Sequence, residues 1–132
     1  MTMAFARSQY RRTEDTAVRD VDDPHHIILI TMRELEKSLR ILDAAKKAGV
    51  AYADRSMTRS FTALYILQSS LDFERGGEMA TSLFRVYEYC RQQVTLAFRR
   101  DDSAALDKAA EAISGLVDAW SRIAPQKQAV NS

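Results

Sequence analysis

The 132-residue chain has only one cysteine, two prolines, four glycines and two histidines. A single cysteine, Cys90, excludes an internal disulfide, which suits a reducing compartment. No apolar run approaches the roughly 20 residues that span a bilayer, and the first residues lack the apolar core of a secretory signal. We therefore expect a cytoplasmic protein that neither inserts into a membrane nor leaves the cell.

An excess of charge of either sign is also absent. The 19 lysines and arginines nearly balance the 18 aspartates and glutamates. A balanced chain has no strong field to steer it toward nucleic acid or an anionic membrane. We expect no nucleic-acid partner, and contacts with other proteins should depend on apolar surface.

Side chains that carry chemistry are scarce and poorly spaced. His25 and His26 are adjacent on a helical first turn, so they cannot share a metal as an i, i+4 pair can, and we expect both to be solvated. Cys90 falls on an apolar stripe and is interpreted as a buried structural thiol. Glycines 76–77 lack the following Lys-Ser or Lys-Thr of a phosphate loop. No catalytic, cofactor or metal site is expected, and the protein is predicted not to be an enzyme.

Apolar residues recur at steps of three and four in four segments between the two prolines, which indicates amphipathic helices. The four predicted inner stripes are Ile28, Met32, Leu35, Leu39 and Leu42; Met57, Phe61, Leu64, Leu67 and Leu71; Met79, Leu83, Val86, Cys90, Val94 and Ala97; and Leu106, Ala110, Ile113, Val117, Trp120 and Ile123. Short connections predict an all-α fold, an antiparallel up-down four-helix bundle of residues 24–124.

Several residues mark where these helices should begin and end. Asp23 before a proline predicts the start of the first helix, and Gly49 its end. Glycines 76–77 predict the chain reversal between the second and third helices, and Asp101 or Asp102 is predicted to cap the fourth. Residues 1–23 mix charges with isolated apolar side chains and predict a loosely held N-terminal arm, whereas residues 125–132 predict a disordered tail.

More than one face of the second and third helices is apolar. The second helix carries Phe61, Tyr65, Ile66 and Leu67 close together, and the third carries Phe84, Tyr87 and Tyr89 beside its core stripe. One interpretation is a wide core stripe with a few exposed aromatic side chains. Another is a groove for a partner's amphipathic or extended segment, or a homodimer face.

Five blocks of sequence, in order, resemble the flagellar secretion chaperone family over about residues 10–123. Residues 67–80 are similar to its second-helix exit, Leu-x-x-Ser-Leu-Asp followed by paired glycines. The others are Leu83 with Tyr87-Glu88-Tyr89, Asp118-Ala119-Trp120, Asp23-Pro24 with the apolar residues that follow, and Tyr10. The chain departs from the family at residues 31–34, where Leu-Tyr-Asp-Gly is usual, and in the larger apolar side chains of its second helix.

The resemblance implies a chaperone that binds the disordered C-terminal segment of flagellin, blocks its premature polymerisation and delivers it to the flagellar type III export gate. It also implies that the arm covers the binding groove until ligand displaces it, and some family members bind an anti-sigma factor. On this basis the predicted partner-binding residues are Tyr10, Ile28, Met32, Phe61, Tyr65, Leu83 and Tyr87.

Two alternatives stay open. The chain could be a helical-bundle adaptor or regulator unrelated to motility, since this fold hosts many functions. It could also be a paralogous chaperone for a different flagellar substrate, which the departures from the family pattern would fit. A metal enzyme built in the bundle core is disfavoured because the sequence lacks Glu-x-x-His pairs.

Overall fold

The computed structural model describes residues 23–123, which form four α-helices and no strand within that range. The helices are α1 (Pro24–Ala48), α2 (Asp54–Ser69), α3 (Phe73–Phe98) and α4 (Leu106–Ser121). Helix α1 packs against α2 and α4, and α3 packs against the same two helices, so α1 and α3 lie across the diagonal of the bundle. The all-α prediction and the four-helix architecture are confirmed. Residues 1–22 of the predicted arm, which include Tyr10, and the predicted tail of residues 125–132 lie outside the described residues.

Helix α1 begins and ends where the sequence predicts. The Asp23 carboxylate accepts a hydrogen bond from the His25 amide at 3.0 Å, and the proline at the first helical position has no amide that needs a partner. Gly49 ends the helix with φ of 68°, a left-handed conformation that glycine adopts without a Cβ clash. The local chemistry of the sequence therefore fixes both ends of α1.

The connection between α2 and α3 differs from the prediction. Helix α2 ends at Ser69, where the Ser69 and Ser70 hydroxyls donate to carbonyls of its own last turn. Asp72 then caps α3 by accepting from the Arg75 amide at 3.1 Å. The paired glycines follow one helical turn later, and Gly77 breaks the axis of α3 with φ of 52° and ψ of −127°. Thus the glycines kink a helix that has already begun.

The predicted cap of α4 is wrong. Asp101 accepts hydrogen bonds from the amide and hydroxyl of Ser103, at 2.8 and 2.6 Å, and so stabilises a turn in the α3–α4 connection. The residue before α4 is Ala105, whose amide donates to the Gln93 side chain of α3 at 2.8 Å. A tertiary hydrogen bond therefore takes the place of the local cap.

The core follows the predicted stripes with one clear exception. All five predicted stripe residues of α1 are buried, and so are Leu64, Leu67, Cys90, Val94, Ala97, Leu106, Ala110, Ile113 and Trp120. Met79 is exposed, although it was predicted to face inward, because it follows the kink at Gly77. His25 corrects a second prediction: it is buried against Trp120, with ring centroids 5.1 Å apart, rather than solvated.

Candidate functional site

A shallow groove of about 430 Å³ lies between α2 and α3. Its walls are mainly apolar and include Phe61, Leu64 and Tyr65 from α2 and Phe84 from α3. On α3, residues 84, 88, 91, 95 and 98 follow steps of four and three, so they share the face that borders α2. We call this surface, with Phe73 and Phe98 at its two ends, the aromatic groove.

Exposed aromatic side chains are concentrated here. Within residues 23–123, the four aromatic side chains that are exposed are Tyr65, Phe73, Phe84 and Phe98, at 39 to 65% of their full accessibility. All four belong to α2 or α3. Aromatic rings contribute large apolar area. A cluster of exposed apolar side chains of this kind is typical of a surface that binds a partner.

Aromatic pairs form both ends of the groove. Phe61 packs edge-to-face on Phe98 with centroids 6.2 Å apart, and Phe73 packs on Phe84 at 6.0 Å. In an unbroken helix Phe73 and Phe84 would be separated by roughly 16 Å along the axis. The kink at Gly77 therefore folds the first turn of α3 back and brings Phe73 onto the groove.

A polar bridge crosses the middle of the groove. Gln68 of α2 donates to the Glu88 carboxylate at 3.1 Å, and Arg91 donates to the same carboxylate through Nε at 2.9 Å and through a second guanidinium nitrogen. Hydrogen bonds from Arg91, and then from Gln68, lower the pKa of Glu88 to about 2. The bridge joins α2 to α3 and leaves a charged, hydrogen-bonded centre between two aromatic ends.

A second cavity, of about 240 Å³, lies between α3 and α4 with Met32 of α1 at its floor. Its lining is almost entirely apolar: Met79, Leu83, Val86, Leu116, Ala119, Trp120 and Ile123 surround it with Ser82. We call it the α3/α4 cavity. Trp120 also contacts His25, so the start of α1 lies beside this cavity.

The structure distributes the predicted partner-binding residues over three places. Phe61 and Tyr65 line the aromatic groove, whereas Met32 and Leu83 line the α3/α4 cavity. Ile28 and Tyr87 are buried in the core and line neither depression. Tyr10 lies outside the described residues.

Tyr87 is an unusual core residue. Its side chain is fully buried and its hydroxyl has no hydrogen-bond partner. Burial raises the pKa of Tyr87, and it raises the pKa of the Cys90 thiol to about 12. Cys90 therefore stays protonated and buried, in agreement with its interpretation as a structural thiol.

Sequence reasoning did not select several residues that build the groove: Gln68, Glu88, Arg91 and Phe98. The signal was present in the steps of four and three from Phe84 to Phe98, which mark a second face of α3 beside its core stripe. The hydrogen bond from Gln68 to Glu88 joins two helices and has no local signature.

The described residues offer no metal site and no membrane span. Between residues 23 and 123, no three His, Cys, Asp or Glu side chains are grouped so as to hold a metal ion. Over the same residues, none of the helices is both long enough and apolar enough to cross a bilayer.

Comparison with known proteins identifies the family. The model of flagellar protein FliS matches residues 6–127. The chain is similar to a flagellar secretion chaperone FliS of Vibrio cholerae, 24% identical over 118 residues that cover 89% of this chain and 87% of that protein. It is also similar to flagellar secretion chaperone FliSB of Pseudomonas aeruginosa, 26% identical over 119 residues that cover 89% of this chain and 94% of that protein.

A third relative is similar over a shorter stretch. Flagellar secretion chaperone FliS of Salmonella typhimurium is 35% identical over 60 residues, which are 46% of this chain and 44% of that protein. The family match covers the whole bundle, both apolar depressions and part of the segment before Asp23. The chain therefore belongs to the FliS family of flagellar secretion chaperones.

Proposed function

We propose that this protein is a cytoplasmic flagellar export chaperone that binds the C-terminal segment of flagellin in the aromatic groove, prevents its premature polymerisation and delivers it to the type III export apparatus. Family membership supports the chaperone role, and the names of the relatives point to flagellar secretion. The observation that carries the choice of site is the concentration of every exposed aromatic side chain of residues 23–123 on α2 and α3.

The groove fits an amphipathic helical guest. Phe84 and Phe98 are 14 positions apart on α3, which corresponds to roughly 21 Å along the helix. A guest helix of about four turns would place one apolar cluster at each aromatic end. The Gln68–Glu88–Arg91 bridge lies between those ends and favours a guest with a polar residue at its centre. A uniformly apolar segment would instead have to desolvate this carboxylate.

Binding should be reversible because the flagellin segment is disordered when it is free. A segment that is disordered when free loses conformational freedom when it folds into the groove, at a cost of about 2–5 kcal/mol or more. The aromatic contacts offset this cost while leaving a modest net affinity. A complex of this kind protects the apolar face of flagellin and still releases it at the export apparatus.

The N-terminal arm belongs to the same proposal. His25 at the start of α1 contacts Trp120, which lines the α3/α4 cavity. Phe5 and Tyr10 provide apolar side chains that could occupy an apolar depression. An arm that covers the binding surface about 99% of the time weakens the apparent affinity for guest about a hundredfold.

Calorimetric titration of the full chain with the C-terminal segment of the cognate flagellin tests the proposal. Saturable 1:1 binding is the expected result, and a matched N-terminal flagellin segment serves as the control. If the titration shows no heat of binding and the C-terminal segment does not co-elute with the protein in size-exclusion chromatography, flagellin is refuted as the guest. That result would favour an adaptor or a chaperone for another flagellar substrate. Deletion of residues 1–20 should tighten binding, whereas unchanged or weaker affinity would count against the covering arm alone.

A further inference from the structure

The outer face of α1 carries a second apolar surface, separate from both depressions. Ile27, Ile30 and Ile41 are each 36 to 46% exposed, although α1 is a packed helix of the bundle. They belong to a stripe with steps of three and four that faces away from α2 and α4: Ile27, Ile30, Glu34, Lys37, Ile41 and Ala44. We call it the α1 outer stripe. Its spacing is that of a helix seam that packs on another helix.

Two copies of the stripe match each other in chemistry when they are placed antiparallel. In an antiparallel pair of α1 helices related by a two-fold axis, with the axis between Leu35 and Glu36, Ile30 lies opposite Ile41 of the second copy. In the same register Glu34 lies opposite Lys37 of the second copy, and Ile27 lies opposite its Ala44. Two-fold symmetry repeats each contact, so the seam has two Glu–Lys pairs between apolar layers.

The charged residues at the centre of the stripe are available for such a pair. Among residues 23–123, neither Glu34 nor Lys37 takes part in an ion pair. Elsewhere on the same helix Lys47 pairs with Asp43 at 2.9 Å, and Arg40 pairs with Glu36 at 3.4 Å. Among the described residues, Glu34 is thus the one acid of α1 without an ion pair, and Lys37 is one of its unpaired bases.

We infer that this protein forms a reversible homodimer through the α1 outer stripe, with the two α1 helices antiparallel. One helix face from each copy buries less than the roughly 1,200 Å² of a standard stable interface, so the dimer is weak. Arg33 of one copy comes near Arg40 of the other along one flank, and this like-charge approach weakens it further. Because α1 lies diagonally across from α3, the dimer leaves the aromatic groove open.

Charge reversal tests both the surface and its register. Sedimentation equilibrium of the wild-type chain should show a concentration-dependent monomer–dimer equilibrium below ~1 mM. Glu34→Lys and Lys37→Glu each create two like-charge contacts, so each alone should weaken dimerisation at least about tenfold. Mixing these two single variants in equal amounts should restore association as a heterodimer, and the double variant should restore the homodimer. Glu111→Lys and Lys108→Glu, exposed on α4, are the matched controls.

Further variants make the test decisive. Arg33→Glu should tighten the dimer, because it replaces a repulsive flank contact with an attractive one. A wild-type chain that stays monomeric throughout, or single reversals that behave like the α4 controls, would overturn the inference. Loss of the dimer in Ile30→Ser without any effect of charge reversal would overturn the antiparallel register. Circular dichroism verifies folding of each variant, and flagellin binding is measured separately because it does not depend on this surface.

Discussion

Trp120 and His25 are 95 positions apart in the chain and form two hydrogen bonds with each other. The indole Nε1 donates to the His25 carbonyl at 2.9 Å, and His25 Nε2 donates to the Trp120 carbonyl at 2.7 Å. Their rings stack with an interplanar angle of 13°. This reciprocal pair joins the beginning of α1 to the end of α4, and it fixes the wall of the α3/α4 cavity.

Replacement of Trp120 by phenylalanine should destabilise the bundle. The substitution removes the indole donor, leaves the His25 carbonyl without that bond, and reduces a buried side chain. We expect a loss of about 2–3 kcal/mol in the free energy of unfolding, measured by urea denaturation. Ile66→Val, at an exposed apolar position, should change stability by less than about 0.5 kcal/mol. Equal effects of the two substitutions would contradict this role of the pair.

Tyr87→Phe should raise the free energy of unfolding, in contrast to the Trp120 substitution. The hydroxyl is buried without a partner, so its removal relieves a desolvation cost of about 1–3 kcal/mol while the ring keeps its packing. Chemical denaturation should show a more stable protein. Binding of the flagellin segment should be unchanged, because Tyr87 is a buried core residue. A variant that is no more stable but binds more weakly would instead assign the hydroxyl to the guest.

Two glycines of the bundle should respond differently to alanine. A Cβ at Gly115 meets nothing within 4 Å and the residue lies inside α4, so Gly115→Ala should stabilise the protein by roughly 1 kcal/mol. Gly77 has φ of 52°, where a Cβ is strained, and Gly77→Ala should destabilise. Thermal melts of the two variants measure both effects. Similar shifts in one direction would contradict the kink at Gly77.

The Glu88 carboxylate predicts a component of acid sensitivity. Its pKa is lowered from 4.5 to about 2 by Arg91 and Gln68, so its stabilising contribution is present above about pH 4.5 and is lost as the pH falls toward 2. The group is partly solvated, so the contribution should be about 0.2–1 kcal/mol. The stability difference between wild type and Glu88→Gln should therefore shrink from pH 5 to pH 2.5. A difference that stays constant over this range would refute the bridge.

The parts that the sequence predicted correctly depend on local rules. The stripe of Leu35, Leu39 and Leu42 and the caps of α1 at Asp23 and Gly49 follow from spacing and backbone preference, and the structure confirms them. The predictions are wrong where a contact with a residue distant in sequence determines the local structure. Gln93 rather than an aspartate completes the start of α4, and Trp120 buries a histidine that would otherwise be solvated.

The candidate site shows the same division. The apolar excess of α2 and α3 is visible in the sequence, and it includes the predicted groove residues Phe61 and Tyr65. The kink that brings Phe73 onto Phe84 depends on the dihedral angles of Gly77, and the bridge at Glu88 depends on the packing of two helices. Neither is encoded in a short window. Ile28 and Tyr87, predicted as partner-binding residues on the family resemblance, lie buried in the core.

Two neighbouring residues on α2 allow the most direct test of the aromatic groove. Tyr65 and Ile66 are both exposed, at 63 and 43%, but only Tyr65 lines the groove. In calorimetric titrations with the C-terminal segment of the cognate flagellin, Tyr65→Ser should weaken binding about tenfold or more, as expected for an aromatic anchor. Ile66→Ser should leave the affinity within about twofold of wild type. Equal affinities for the wild type and Tyr65→Ser would contradict the assignment of this groove to flagellin.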